Sequence, residues 1–247
     1  MSGTAWGRTK RPLLVWLLIG LGAFVASLAT LWALSGSVYS ASAFVQRYYA
    51  AIAADNIAEV LRTPGVQVSP DQLRELGLPE STSTVLLRPG LASATPSRVE
   101  VISDTVDADG VHEIEVSYVL SGTDHTSRYP VAPTAPLFGV LPNWRFVSSP
   151  LALLTVTVTN GTHFSVGPLT LDARAASTGD PAAANHTGHY LAVAPTEATL
   201  HFDSELEAAA PIAVTVLPDV ENAATVEVLP TPALIDRVQE KLDDFLA

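Results

Sequence analysis

Residues 41–62 read ASAFVQRYYAAIAADNIAEVLR. Phe44, Tyr48, Ala51, Ile52 and Ile57 fall at three-and-four spacing, and Val60 and Leu61 continue it, which predicts one amphipathic helix. Its alanine content adds intrinsic propensity. Thr63-Pro64-Gly65 ends it, and a second short helix is expected at 70–77, with Ser69 as cap and Pro70 in the first helical position. Beyond this the period changes from 3.6 to two. Thr84 to Leu87 is a short apolar strand candidate, and Val99 and Val101 alternate with polar residues. After a turn at Asp107-Ala108-Asp109-Gly110, Ile114, Val116, Tyr118 and Leu120 alternate with Glu113, Glu115 and Ser117. Gly122-Thr123-Asp124 turns the chain again, and NWRFV at 143–147 is a further strand. Helices followed by an antiparallel meander define an α+β unit over 41–149, with the helical face lying in the concavity of a curved sheet.

From Pro150 the helical signal disappears. LLTVTVTN at 153–160 ends in Asn160-Gly161, which predicts a hairpin returning through HFSV at 163–166. HYLAV at 189–193, ATLHF at 198–202, PIAVTV at 211–216 and ATVEVL at 224–229 are further strands, and 175–188 reads as a loop. The expectation for 150–247 is a small β-sandwich closed by a helix. In that helix Thr231 caps and Pro232 opens. Leu234, Ile235, Val238, Leu242, Phe245 and Leu246 form one apolar stripe, expected to pack on the protein itself or, failing that, on a partner.

Toward the N-terminus, PLLVWLLIGLGAFVASLATLWAL at 12–34 runs for 23 residues without a charge. A bilayer core needs about 20 apolar residues as a helix, so this run is long enough to cross. Trp16 and Trp32 stand near its ends, and Arg8, Lys10 and Arg11 precede it. The positive-inside rule then makes 1–11 a cytoplasmic tail and places the remainder outside the cell. Ala41-Ser42-Ala43 resembles a cleavage site, but the run exceeds the usual 7–15 residue signal core, which favours an uncleaved anchor.

The chain has 247 residues, no cysteine and a net charge of −12. Ten basic and 25 acidic residues follow the span, a net charge of −15 on the external part. The missing cysteine excludes disulfides, thiolate metal sites and a thiol nucleophile. The acidic surplus excludes broad nucleic-acid binding, which needs Lys and Arg against phosphate. The partners expected are the bilayer through 12–34 and an envelope protein or cell-wall component.

Motifs for chemistry are weak. His186 and His189, with His163 or His201 as a third ligand, are the best metal candidates, but the His186-Thr-Gly-His189 pair sits in a Gly-containing stretch that implies no ligand geometry, so no metal and no cofactor are expected. No Gly-x-Ser-x-Gly elbow occurs, and Ser103-Asp104 and Ser121-Gly122 read as turns. Asp107 and Asp109 open like a calcium loop, but no Glu follows at the required distance. No catalytic residue is assigned. Tyr48, Tyr49, Tyr118 and Trp144 are the candidates for lining a small apolar cavity, with core packing as the competing role.

Three local features carry a resemblance. The segment FVQRYYAAIAADNIAEVL resembles the opening helix of NTF2-like domains, and Trp144-Arg145-Phe146 is similar to that fold's closing strand. Asn160-Gly161 with Thr187-Gly188-His189-Tyr190 resembles the extracytoplasmic repeats of TcaA-like membrane proteins, with Thr187 where those repeats carry proline. The order of elements is similar to that of single-pass actinobacterial envelope proteins of unknown function. The resemblance implies a non-enzymatic envelope role, or else an NTF2-like cone that binds an apolar ligand or catalyses an unidentified reaction.

Overall fold

The computed structural model describes residues 39–69, 79, 81–137, 139, 141–180 and 182–246. The expected tail at 1–11, the span at 12–34 and the helix at 70–77 lie outside them. Among the described residues no helix is long and apolar enough to cross a membrane. The protein is mixed α+β, mostly sheet, with few helices and a C-terminal one.

The single helix expected at 41–62 is two: α1 (Ala41–Ala53) and α2 (Ile57–Arg62). Ser40 caps α1 by accepting from the Ala43 N–H at 3.1 Å. Asp55 then adopts φ +51°. Its N–H bonds to Ile52 O and that of Asn56 to Ala51 O, both at 2.9 Å, which closes α1 as a Schellman motif. The Asn56 side chain restarts the helix by accepting from Glu59 N–H at 3.2 Å. Two Asx residues in succession supply both the left-handed stop and the new cap, and they override the apolar spacing.

After β1 (Ala92–Ala94), strands β2 (Ser97–Val106), β3 (His112–Leu120), β4 (Thr123–Leu137) and β5 (Leu141–Phe146) form an antiparallel meander in that order. One face of this sheet buries Ile114, Val116, Tyr118, Tyr129 and Phe146 against Phe44, Val45, Tyr48, Tyr49 and Ile52 of α1. Sequence reading misses β4, whose Pro130, Pro133 and Pro136 argue against a strand. Pro133 and Pro136 are tolerated because β3 ends opposite Val131 and β4 beyond it has a neighbour on one side only, whereas Pro130 lies opposite Glu113, just before the pairing with β5 begins at Val131.

The second region contains β6 (Ala152–Thr159), β7 (His163–Val166), β8 (Leu169–Asp172), a 3-10 turn at Ala173–Ala176, β9 (Asn185–Ala192), β10 (Thr196–Asp203), β11 (Glu207–Val216), β12 (Asn222–Glu227), β13 (Leu229–Pro230) and helix α3 (Pro232–Leu246). One sheet runs β13-β11-β10-β7-β8, with β1 paired to β10, and the other runs β12-β6-β9. Both sheets feed one core, including Leu154, Val156 and Val158 from β6 and Phe164 and Leu200 from the facing sheet.

The Asn160-Gly161 hairpin does not form. β6 is paired on both edges, to β9 and β12, so no edge is free for a return strand. Asn160 still adopts φ +58°. The turn instead carries the chain across to the facing sheet, and a Cβ at Gly161 would lie 2.8 Å from Val228. The strand expected at Thr84–Leu87 is also absent. Ser83 alone bridges to Tyr190, and Leu86 and Leu91 drop into the second core. The loop expected at 175–188 is shorter, because 185–188 belong to β9.

Residues 83–94 thus leave the meander to pack on the second region, which in turn sends Val193 into the first core. The Tyr48 hydroxyl donates to Ala194 O at 2.6 Å across the same junction.

Candidate functional site

Three of the four residues proposed to line a cavity lie together, and they fill the first core. Tyr48, Tyr49 and Tyr118 are each 1% exposed. Tyr49 and Tyr129 share a hydroxyl–hydroxyl bond of 2.9 Å, and Tyr118 bonds Ser127 Oγ at 3.0 Å. Burial raises the pKa of Tyr48, Tyr49, Tyr118 and Tyr129 above the ordinary phenol value, because phenolate is poorly solvated there. Tyr129 was not singled out from sequence, because β4 was not read as a strand.

Trp144 packs, partly buried, at the margin of that core near the start of α1. Its indole N–H donates to Tyr39 O at 2.7 Å, and its ring meets His112 edge-on at 4.7 Å. His112 Nδ1 lies 2.6 Å from Asp104 Oδ1, whose other oxygen accepts from Ser42 Oγ at 2.6 Å. Sequence reading missed this chain and placed Ser103-Asp104 in a turn; both lie within β2. The carboxylate sits between Ser and His. A nucleophilic triad needs the imidazole in the middle, so this order activates no hydroxyl. It ties α1 to β2 and β3.

The candidate metal histidines diverge. His186 and His189 are three apart on β9, and strand alternation puts them on opposite faces. His186 is buried, whereas His189 bonds Thr155 Oγ1 at 3.3 Å. Among the described residues no group of three His, Asp or Glu is placed to hold a metal ion. Asp107 closes its turn by accepting from Asp109 and Val111 N–H, both at 2.9 Å. Gly188 of the Thr-Gly-His-Tyr segment has a packing role, since a Cβ there would lie 2.7 Å from the Tyr190 hydroxyl.

The hollows lie elsewhere. An open groove of about 460 Å³ runs along α1 and α2 past Arg47, Glu59 and Arg62. Another of about 500 Å³ lies at the root of α3, between Phe202, Pro211 and Leu229.

The surface that stands out is α3 itself. No residue of this helix is buried, against the expectation that it packs on the protein. Ile235, Val238, Leu242, Phe245 and Leu246 are 46%, 49%, 53%, 87% and 78% exposed. Only its first turns are fastened. Thr231 Oγ1 donates to Glu205 O at 2.7 Å, and Arg237 pairs with Glu205 at 2.8 Å. The second core is filled by the two sheets together with Leu86, Leu91, Ala173 and Ala176, and α3 contributes no residue to it.

Compared with known proteins, the chain matches no family model, no curated protein and no solved structure.

Proposed function

We propose that this protein is a membrane-anchored, extracytoplasmic interaction module of the actinobacterial cell envelope, acting by binding rather than by catalysis. In this reading 1–11 are cytoplasmic, 12–34 span the bilayer, 41–149 form an NTF2-like unit, and 150–247 form a small TcaA-like β-sandwich that presents α3. The observation that carries it is the exposed apolar stripe of α3. Ile235, Val238, Leu242 and Phe245 follow a three-four-three spacing, the seam one helix offers another. The occupant is therefore a partner protein's helix with a matching apolar seam. Four acidic and two basic residues on α3 disfavour an anionic lipid surface, which selects Lys and Arg. The alternative, a cone holding an apolar ligand, loses its room to Tyr48, Tyr49 and Tyr118.

The test is a photo-crosslinking residue at Val238 of the full-length chain in intact cells. One defined protein partner is expected, and Leu242→Asp abolishes the crosslink. Because α3 is exposed, that substitution changes stability by no more than about 0.5 kcal/mol. Crosslinks to lipid alone, or a pattern indifferent to Leu242→Asp, would sink the reading.

A further inference from the structure

The β4–β5 hairpin outruns its sheet. The last β3 partner of β4 is His112, opposite Val131. From Ala132 to Leu137 the strand pairs with β5 alone, ending at Leu137 opposite Leu141, with Gly139 at φ +75° between them. Six residues of extension project the tip about 20 Å beyond β3. Residues 130–144 hold no Asp, Glu, Lys or Arg. Such a stretch is ordinary in a core strand. Here Pro133, Ala135, Pro136 and Leu137 are exposed, on a surface whose charge is otherwise strongly acidic.

The hairpin also sits where the chain enters. Trp144, opposite Pro133 in the stem, holds Tyr39 through its indole N–H, and Tyr39 is the first described residue. Tyr39 stands five positions after Leu34, the end of the apolar run, a reach of at most about 18 Å. The tip lies four residues beyond Trp144's partner Pro133, about 13 Å along the strand. A linker no longer than about 18 Å keeps the stem close enough to the surface from which the chain emerges for a tip about 13 Å further along to meet it. A second copy is the weaker occupant, because Pro133, Pro136 and Pro142 remove N–H groups that strand addition would use.

We infer that the β4–β5 hairpin tip inserts Leu137 and Leu141 into the outer interfacial layer of the bilayer and so fixes the orientation of the external domain. This rests on the anchoring of 12–34. Contact of this kind is driven by apolar burial and needs no lipid charge, which suits an acidic domain.

The chain has no cysteine, so Leu137→Cys and, as control, Ser121→Cys in the β3–β4 turn at the opposite end of the sheet each accept one environment-sensitive fluorophore. The full-length chain is reconstituted in phosphatidylcholine vesicles. At position 137 the probe is expected to be quenched by a lipid-borne spin label and protected about threefold or more from aqueous iodide relative to position 121. Leu141→Glu added to the 137 probe removes that protection. Equal iodide access at 137 and 121, with the protein still floating with the vesicles, overturns the hairpin contact and leaves the anchor standing. Failure of the full-length chain to float with the vesicles overturns both.

Discussion

The two regions solve burial with different chemistry. The first core sets a helix on a sheet and is built around Tyr48, Tyr49, Tyr118, Tyr129 and Phe146. The hydroxyl of each of those four tyrosines has a partner: Ala194 O for Tyr48, Ser127 for Tyr118, and each other for Tyr49 and Tyr129. The second core sets sheet on sheet and is mainly Val, Leu and Ala, with one tyrosine, Tyr190, whose buried hydroxyl has no hydrogen-bond partner among the described residues. Aliphatic packing is tolerant of small shifts, whereas paired hydroxyls demand particular distances. The first core is therefore the one that specifies position, including that of the second region through Tyr48 and Ala194.

The severest way to break this comparison is Phe146→Ala. Phe146 stacks against Phe44, Tyr48 and Tyr129, with centroids at 4.9, 5.2 and 5.7 Å. Truncation should cost about 3–5 kcal/mol. Because 83–94, Val193 and Tyr48 interleave the regions, calorimetry should show one transition shifted downward as a unit. Two separated transitions would mean that the regions fold independently and that the shared residues matter little.

Alkaline pH gives a smaller effect and sharpens the contrast. The core tyrosines all have raised pKa values in the folded protein, chiefly from burial. An acid whose folded pKa is raised stabilises the fold below its unfolded value, and that contribution is lost as pH climbs toward the folded value. Stability should thus be flat up to about pH 10 and fall above it. Tyr190, pushed up to about 12 chiefly by burial, contributes part of that loss. The first core adds four more buried phenols, Tyr48, Tyr49, Tyr118 and Tyr129. Absorbance of tyrosinate should rise together with unfolding; titration of five buried phenols near pH 10 in a folded protein would refute the burial argument.

Much of this was legible in the sequence, for identifiable reasons. β6 alternates strictly and β3 does so as far as Tyr118, and Leu154, Val156 and Val158 were bound to face one core. What failed was pairing. Asn160-Gly161 encodes a left-handed turn but not which strand lies across it, and β6 had both edges taken. The Asx pair Asp55-Asn56 was a readable stop, outweighed by an apolar spacing that ran through it. β4 hid behind three prolines, and with it went Tyr129, and hence the Tyr49–Tyr129 pair. Of the candidate site, three tyrosines were legible as buried aromatics, but whether a concave sheet leaves a cavity depends on volumes that no pattern carries. The exposure of α3 was likewise unreadable, because an amphipathic stripe is the same whether its groove is in the chain or in a partner.

The finest comparison uses one substitution in two places. Tyr49→Phe removes a hydroxyl that pairs with Tyr129 Oη at 2.9 Å in a buried site. It leaves the Tyr129 hydroxyl short of a partner, and a buried polar group left so costs about 1–3 kcal/mol. Tyr190→Phe removes a hydroxyl that has no partner among the described residues, on a side chain that is 1% exposed. Nothing is orphaned, and the desolvation of that oxygen is relieved. Its ring still packs edge-on to Phe164 at 5.5 Å. The same change should therefore destabilise the first core by about 1–2 kcal/mol and leave the second unchanged or firmer by up to about 1 kcal/mol. Urea unfolding of the two variants, with m-values held equal, reads the difference directly. Equal losses at both sites would mean that the Tyr190 hydroxyl is satisfied in solution and that the polar pairing does not distinguish the cores.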